Sequence, residues 1–360
     1  MAFKRPKEQS ERSHPISVIV LAGGQGKRMK SSKPKVLHEI MGKSLLAHVL
    51  NAVRYLSPVK TVVVVGYRAE DVQRSVGDDY NVTFARQERP AGTGDAVRAA
   101  EKSLEAVDGD VLIVPGDVPL LSPQTLLDFR DAYFSLENQL SVLTVEVVSP
   151  GAYGRVIRDP SGWIDRIVEF TDATESERLV REINSGVYLA DKQSLFAALQ
   201  DLQPDNNQNE FYLTDIVEIF RVQGKLVSAI MGPDPQEVQG VNDRAELATV
   251  LEILRIKINN SWVQAGVTLE DTFTTLIEPG VKLEPDVTLA PGVILKGQTR
   301  VGKGAHIGPY TVVSNSVIGP EAQLGPHLSL NGARVPPGAR VFLPNPPIHS
   351  RLKIPPQRRF

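Results

Sequence analysis

ISVIVLAGGQGKRM, residues 16–29, carries the first decision about the fold. The apolar run Ile16–Ala22 is unbroken and rich in branched side chains, as a strand buried on both faces requires. It runs directly into Gly23, Gly24 and Gly26. Glycines after a buried strand let backbone N–H groups approach a phosphate, and a following helix would aim its positive end at the same point. Two familiar spacings fail. A GxxxxGK[ST] loop needs a glycine where Leu21 stands and a hydroxyl residue where Arg28 stands, and a dinucleotide fingerprint needs a third glycine in place of Met29. What survives is a glycine loop with Arg28 inside it and Pro34-Lys35 shortly after. Fixed cations beside backbone amides suit a triphosphate. A tight strand–helix turn with exposed basic residues fits the same stretch, and both readings stand at this point.

Outward from the loop the pattern repeats. Residues 61–65 and 111–114 are further buried-strand runs, Leu45, Leu46, Val49, Leu50 and Val53 recur at helical spacing, and 96–107 reads as a helix. Strand–helix alternation of this kind predicts an α/β fold, a mostly parallel sheet with helices on both faces. Near residue 242 either Asn242 or Asp243 can cap a helix with Leu247, Val250, Leu251, Leu254 and Ile258 on its apolar face. From Val281 small or β-branched residues recur every sixth position (Val281, Val287, Val293, Thr299, Ala305, Thr311, Val317), and Leu283, Leu289, Leu295, Val301, Ile307 and Val313 follow two places after the first six. Six is no multiple of the helical repeat, so the hexads predict a β-helix of about 18 residues per coil and about four coils, a scaffold or oligomerisation module. The expected organisation is a disordered tail at 1–15, an α/β domain at 16–242, a linker helix at 243–264, the β-helix at 265–343 and a Pro-rich basic tail at 344–360.

The composition narrows the function classes. The chain has 360 residues, 40 Lys plus Arg against 42 Asp plus Glu, and no cysteine. A net charge of −2 gives no reason to expect nucleic acid or an anionic membrane as partner. Without cysteine there is no disulfide, no thiolate metal site and no cysteine nucleophile. No apolar run approaches the roughly 20 residues of a membrane span, and MAFKRPKEQSERSHP lacks the apolar core of a secretory signal, so a cytoplasmic protein is expected.

Eight further stretches, in order, sharpen the reading: PKVLH (34–38), AGTG (91–94), GDVPL (116–120), YGR (153–155), IVE (167–169), EINSG (182–186), YLTD (212–215) and GVN (240–242). With the glycine loop they resemble the signature of sugar-1-phosphate nucleotidylyltransferases. Within that group they resemble the uridyltransferase part of the bacterial bifunctional N-acetylglucosamine-1-phosphate uridyltransferase/glucosamine-1-phosphate acetyltransferase family. The resemblance implies a Rossmann-like nucleotidyltransferase domain at 16–242 and a short left-handed parallel β-helix, truncated before the acetyltransferase residues. It implies Mg²⁺-dependent transfer of UMP from UTP to N-acetylglucosamine 1-phosphate with release of pyrophosphate, no acetyl transfer, and assembly as a homotrimer. Leu21, Ala22, Gly23, Gly24, Gln87, Gly92 and Thr93 would line the nucleotide, and Arg28 and Lys35, with Asp117, would be the catalytic residues. Asp117 and Asn242 would hold the metal. Gly116, Gly154, Glu169, Asn184, Tyr212 and Thr214 would line the sugar.

Beside the resemblance, the residues keep their own readings. Asp117 follows a buried strand, at the edge where open α/β sheets bind ligands, or is a turn aspartate before Val118-Pro119. Asn242 is a metal ligand or a helix cap. Glu169 can be a solvated strand end, and Gln87 offers a donor and an acceptor to one edge of uracil. Lys27, Pro115 and Thr171 depart from the residues the family usually carries. Rival readings are a nucleotidylyltransferase for glucose 1-phosphate or another acetamido sugar, and a nucleotide-sugar sensor without turnover. The loop is also similar to that of molybdenum-cofactor guanylyltransferases, whose short chains have no β-helix.

Overall fold

The computed structural model describes residues 14–343. The tails expected at 1–15 and 344–360 lie outside these residues except for His14 and Pro15, where the Pro15 carbonyl accepts from Asp110 N–H. The chain divides into two compact units on either side of Val250 and Leu251, and helix Arg244–Gln264 runs across the division.

In the first unit one sheet follows the order Val227–Met231, Leu140–Glu146, Glu182–Asp191, Asp110–Pro115, Ile16–Ala22, Lys60–Val65, Thr83–Arg86. Ile16–Ala22 lies at its centre, parallel to both neighbours, as its unbroken apolar run demands. Glu182–Asp191 alone on this path runs antiparallel, between Asp110–Pro115 and Leu140–Glu146, and its register slips between Asn184 and Tyr188. The hairpin Arg155–Arg158/Ile164–Val168 pairs onto it.

Alternate side chains of each strand feed two cores. Val18 and Val20 pack with Leu46, Val49, Leu50, Leu126 and Phe129 on one face. Ile19, Ile113 and Val62 pack with Val97, Leu104, Leu195, Ile216 and Phe220 on the other. The helix expected at 96–107 is two pieces, Thr93–Arg98 and Glu101–Leu104. Between them the chain tightens into three-residue hydrogen bonds, Ala100 N–H to Val97 O and Ser103 N–H to Ala100 O, which still bury Val97, Ala100 and Leu104.

The second unit is the β-helix. Thirteen short strands from Thr268–Leu269 to Arg340–Val341 form three parallel sheets, five, four and four strands deep, enclosing Val281, Leu283, Leu289, Leu295, Ile307 and Val313. Corners are made by residues with positive φ, among them Gly292, Gly297 and Gly304, where glycine meets no Cβ penalty. One hexad expectation fails. Val317 is exposed and Ser316 takes the buried place, because Val312–Ser314 joins Val317–Ile318 through Asn315-Ser316 alone, one residue fewer than Gly297-Gln298-Thr299 in the coil below. Buried hydroxyls make the shorter corner possible: Ser316 N–H donates to Thr299 Oγ1 at 3.4 Å, and Ala333 N–H to Ser316 Oγ at 3.0 Å. We therefore expect Val317→Lys to change stability by less than about 0.5 kcal/mol and Ile318→Ala to cost about 2–5 kcal/mol in urea unfolding. The reverse ranking would contradict the shortened corner.

Candidate active site

The carboxyl ends of Ile16–Ala22, Lys60–Val65 and Asp110–Pro115 lie side by side, and glycines let the chain segments leaving them pass closely. A Cβ on Gly116 would stand 2.8 Å from the Leu21 carbonyl, to which Gly116 N–H donates at 2.9 Å. Ala22 points its methyl into the core, so from Ala22 to Gly24 only backbone can face a ligand, beside the half-buried Leu21 side chain.

No helix follows the glycine loop, against expectation. Lys27–Met29 is a single 3₁₀ turn, entered through Gly26 at φ 68° and left through Lys30 at φ 47°. The fully buried Met29 side chain draws the chain inward at that point, and the left-handed residues on either side stop a helix from propagating. The anion cradle is therefore backbone and cations without a helix end. Arg28 stands exposed in the turn, with no ion pair among the described residues.

Lys35 lies directly behind the loop, where a Cβ on Gly26 would collide with its stem at 2.6 Å. Its ammonium donates to Asp117 Oδ2 and, at 3.1 Å, to Asn242 Oδ1. Three expected residues thus converge on one point. Asp243 takes the helix cap that Asn242 could have supplied: its Oδ1 accepts from Ala245 and Glu246 N–H, both at 2.9 Å. The Asn242 side chain is thereby free for the cluster, and its backbone N–H donates to Glu246 Oε2 at 2.6 Å. Val241 N–H to Asp117 O, 3.0 Å, ties the segments together.

On the nucleotide side, Gln87 lies against Gly23, and its Nε2 donates to the Gly92 carbonyl. Gly92 has φ 112° and sits so close to Phe211 that a Cβ would stand 2.5 Å from its carbonyl, so only glycine fits there. Thr93 Oγ1 accepts from Leu213 N–H at 3.0 Å, which joins this side to the residues expected for the sugar.

There Gly154, Glu169, Asn184 and Thr214 form one group. Asn184 N–H donates to Gly154 O at 3.0 Å, Thr214 Oγ1 donates to Glu169 Oε1 at 3.4 Å, and Glu169 Oε2 lies 3.5 Å from where a Gly154 Cβ would be. Tyr212 donates its hydroxyl to Asp172 Oδ2 at 3.2 Å, outside that group, and burial pushes its phenol up to about 12. Burial also raises Glu169, with Asp215, Asp172 and Glu210 adding to it. Asp215 is raised to about 6 by burial and by Glu218 and Asp172. Pro115, the departure beside Gly116, packs on Gly186 at φ 79°, where a Cβ would meet the proline ring at 2.8 Å. Asp172 and Glu246 carry no motif spacing of their own, and Asp215 stands in YLTD without a role assigned to it. Tyr153, whose hydroxyl accepts from Gly240 N–H at 3.2 Å, was legible only as the neighbour of Gly154.

Comparisons with known proteins give the family of the chain. The family model of the MobA-like NTP transferase domain matches residues 18–212, so the first unit is a nucleotidyltransferase domain. The bifunctional protein GlmU of Thermobifida fusca is 42% identical over 316 residues, 86% of this chain and 65% of that protein. The bifunctional protein GlmU of Streptomyces avermitilis is 40% identical over 365 residues, 95% of this chain and 76% of that protein. A solved Bacillus anthracis structure described as a glucose-1-phosphate thymidylyltransferase shares the fold at a TM-score of 0.53 and 17% identity, over 66% of this chain and 94% of its own. The chain belongs to the GlmU family of nucleotidyltransferases. It spans 65% of the length of the first of these relatives. Among the described residues no helix is long and apolar enough to cross a membrane.

The raised Asp215 gives a stability test. Its folded pKa of about 6 exceeds the ordinary 3.8, so the folded state holds the proton more tightly. The resulting stabilisation is full below the ordinary value and is lost as pH rises through about 6. Asp215→Asn is expected to stabilise the fold by on the order of 2 kcal/mol at pH 8, the gain vanishing by about pH 4 in denaturant titrations. A gain that does not depend on pH would contradict the assignment.

Proposed function

We propose that this chain transfers UMP from UTP to N-acetylglucosamine 1-phosphate in a Mg²⁺-dependent reaction, giving UDP-N-acetylglucosamine and pyrophosphate. The observation that carries the reading is the convergence of Asp117 Oδ2 and Asn242 Oδ1 on a single cation, the Lys35 ammonium, beside the glycine loop. A carboxylate and an amide oxygen are hard donors of the kind Mg²⁺ takes, with phosphates and water completing its shell. The residues present therefore fit the metal, and Asp117 and Asn242 would hold it. When bound, the ion would supply charge neutralisation between the α-phosphate and the sugar phosphate.

The chain's own residues do the rest. A phosphate oxygen of the sugar 1-phosphate attacks the α-phosphorus of UTP in line, the bond to the bridging oxygen breaks, and pyrophosphate leaves with the electron pair. No protein nucleophile takes part, so positioning and charge stabilisation supply the rate. With its two oxygen partners engaged elsewhere, the Lys35 ammonium is free for the phosphates, and Arg28, unpaired in the turn, offers a second cation on the leaving side. Backbone of Leu21, Ala22, Gly23 and Gly24 would flank the nucleotide, and Gly92 and Thr93 the base. Glu169 and Asn184 would accept from and donate to sugar hydroxyls, with Gly154 and Gly116 making room and Tyr212 and Thr214 nearby. The proposal includes no acetyl transfer. His327 is a corner residue at φ 59°, its ring stacked on Tyr310 at 5.5 Å.

Pyrophosphate release from UTP and Mg²⁺, measured across a panel of sugar 1-phosphates, tests the reading. We expect N-acetylglucosamine 1-phosphate to be the best acceptor and Asp117→Ala to lower release by about 100-fold or more. We also expect no acetylation of glucosamine 1-phosphate when acetyl-CoA is supplied. Release with glucose 1-phosphate alone would overturn the sugar assignment, and full activity of Asp117→Ala would overturn the metal assignment.

A further inference from the structure

The Gln87 amide has its orientation imposed by two neighbours. Its Nε2 donates to Asp95 Oδ2 at 2.8 Å and to the Gly92 carbonyl at 3.1 Å. A carbonyl and a carboxylate oxygen can only accept, so the nitrogen must face them and both of its hydrogens are committed. The group left over is Oε1. It lies against the glycine loop, 3.1 Å from where a Cβ on Gly23 would stand. The sequence offered Gln87 as donor and acceptor together, whereas this geometry leaves the acceptor alone. Asp95 sits in the first turn of Thr93–Arg98, whose start is fixed by the close packing of Gly92 and Gly94 on Phe211, so its carboxylate is held within reach of Gln87.

We propose that Asp95 is a positioning residue that makes Gln87 an acceptor-only reader of the nucleobase. The site then takes a pyrimidine whose ring nitrogen carries a hydrogen, as in uracil, and rejects one that presents a lone pair there, as in cytosine. The inference rests on the reading above, that a uridine nucleotide binds at this loop. Two acceptors facing each other leave both unpaired, which is how a built polar site discriminates strongly between close analogues.

Calorimetric binding of UTP and of CTP, without any sugar phosphate, tests it independently of the acceptor sugar. The wild-type protein is expected to favour UTP by at least about tenfold. In Asp95→Ala only the weaker bond to the Gly92 carbonyl still holds the nitrogen, and a cytosine base can turn it, so UTP weakens, CTP tightens, and the ratio falls to within about threefold. Asp95→Asn, whose Oδ1 can still accept from Gln87, restores most of the preference. A purely structural role would instead weaken both nucleotides alike. A wild-type protein without preference, or an Asp95→Ala protein that keeps it, overturns the inference. The two readings separate cleanly in turnover. A protein that shows this preference but releases no pyrophosphate keeps the inference and loses the reaction; one that turns over UTP and CTP equally does the reverse.

Discussion

The Lys35 ammonium is shared between Asp117 and Asn242, residues 82 and 207 positions further along the chain. All three are withdrawn from water, with Lys35 and Asp117 each 16% exposed, and a charge in such a place must be paired. The pairing draws the segment after the first strand, the turn after Asp110–Pro115 and the segment before the long helix to one point. Gly26 gives room to the Lys35 stem, Asp243 takes over the helix cap so that Asn242 can turn inward, and Tyr153 receives the Gly240 N–H. The glycine loop and the two candidate metal ligands are thus fixed relative to one another by one cation.

Around that point the chain segments approach to backbone contact. Gly66 lies against Gly23, Gly116 against Leu21 and Gly92 against Phe211, each too close for a side chain without movement. The glycines at this edge serve two ends: they bring three strand ends together and they expose amides and carbonyls where a nucleotide would lie. On the far side the balance of charge reverses. Burial raises Glu169 and Asp215, the charge of Asp172 adds to both, and Thr214 and Tyr212 donate into the group. Acceptors gathered this way suit sugar hydroxyls, while the cations Arg28 and Lys35 lie at the glycine loop.

The parts legible in the sequence were those set by local pattern. The run Ile16–Ala22 announced a central strand, and the hexads announced the coils, because burial on a fixed period leaves its mark residue by residue. What stayed hidden depended on neighbours distant in the chain or on a single residue of phase. Nothing in GQGKRM says that Met29 will be buried and cut the helix short. Val317 kept the sixth-place rhythm and lost its place to Ser316, because hydroxyls of the adjacent coil support a shorter corner. Asn242 kept a cap reading beside the ligand one, and only the fold shows that Asp243 holds the helix end. Asp95 carries no spacing that distinguishes it from a surface acid, and Asp215, although inside YLTD, had no role assigned; their partners come from tertiary packing alone.

The most direct test of the shared cation point is where a divalent ion goes when nucleotide is present. Anomalous diffraction from crystals grown with UTP and Mn²⁺ would answer it. We expect a peak within about 2.3 Å of an oxygen of Asp117 and of Asn242, with the Lys35 ammonium moved to phosphate. A peak bound elsewhere, with Lys35 still between Asp117 and Asn242, would contradict the assignment of these two oxygens.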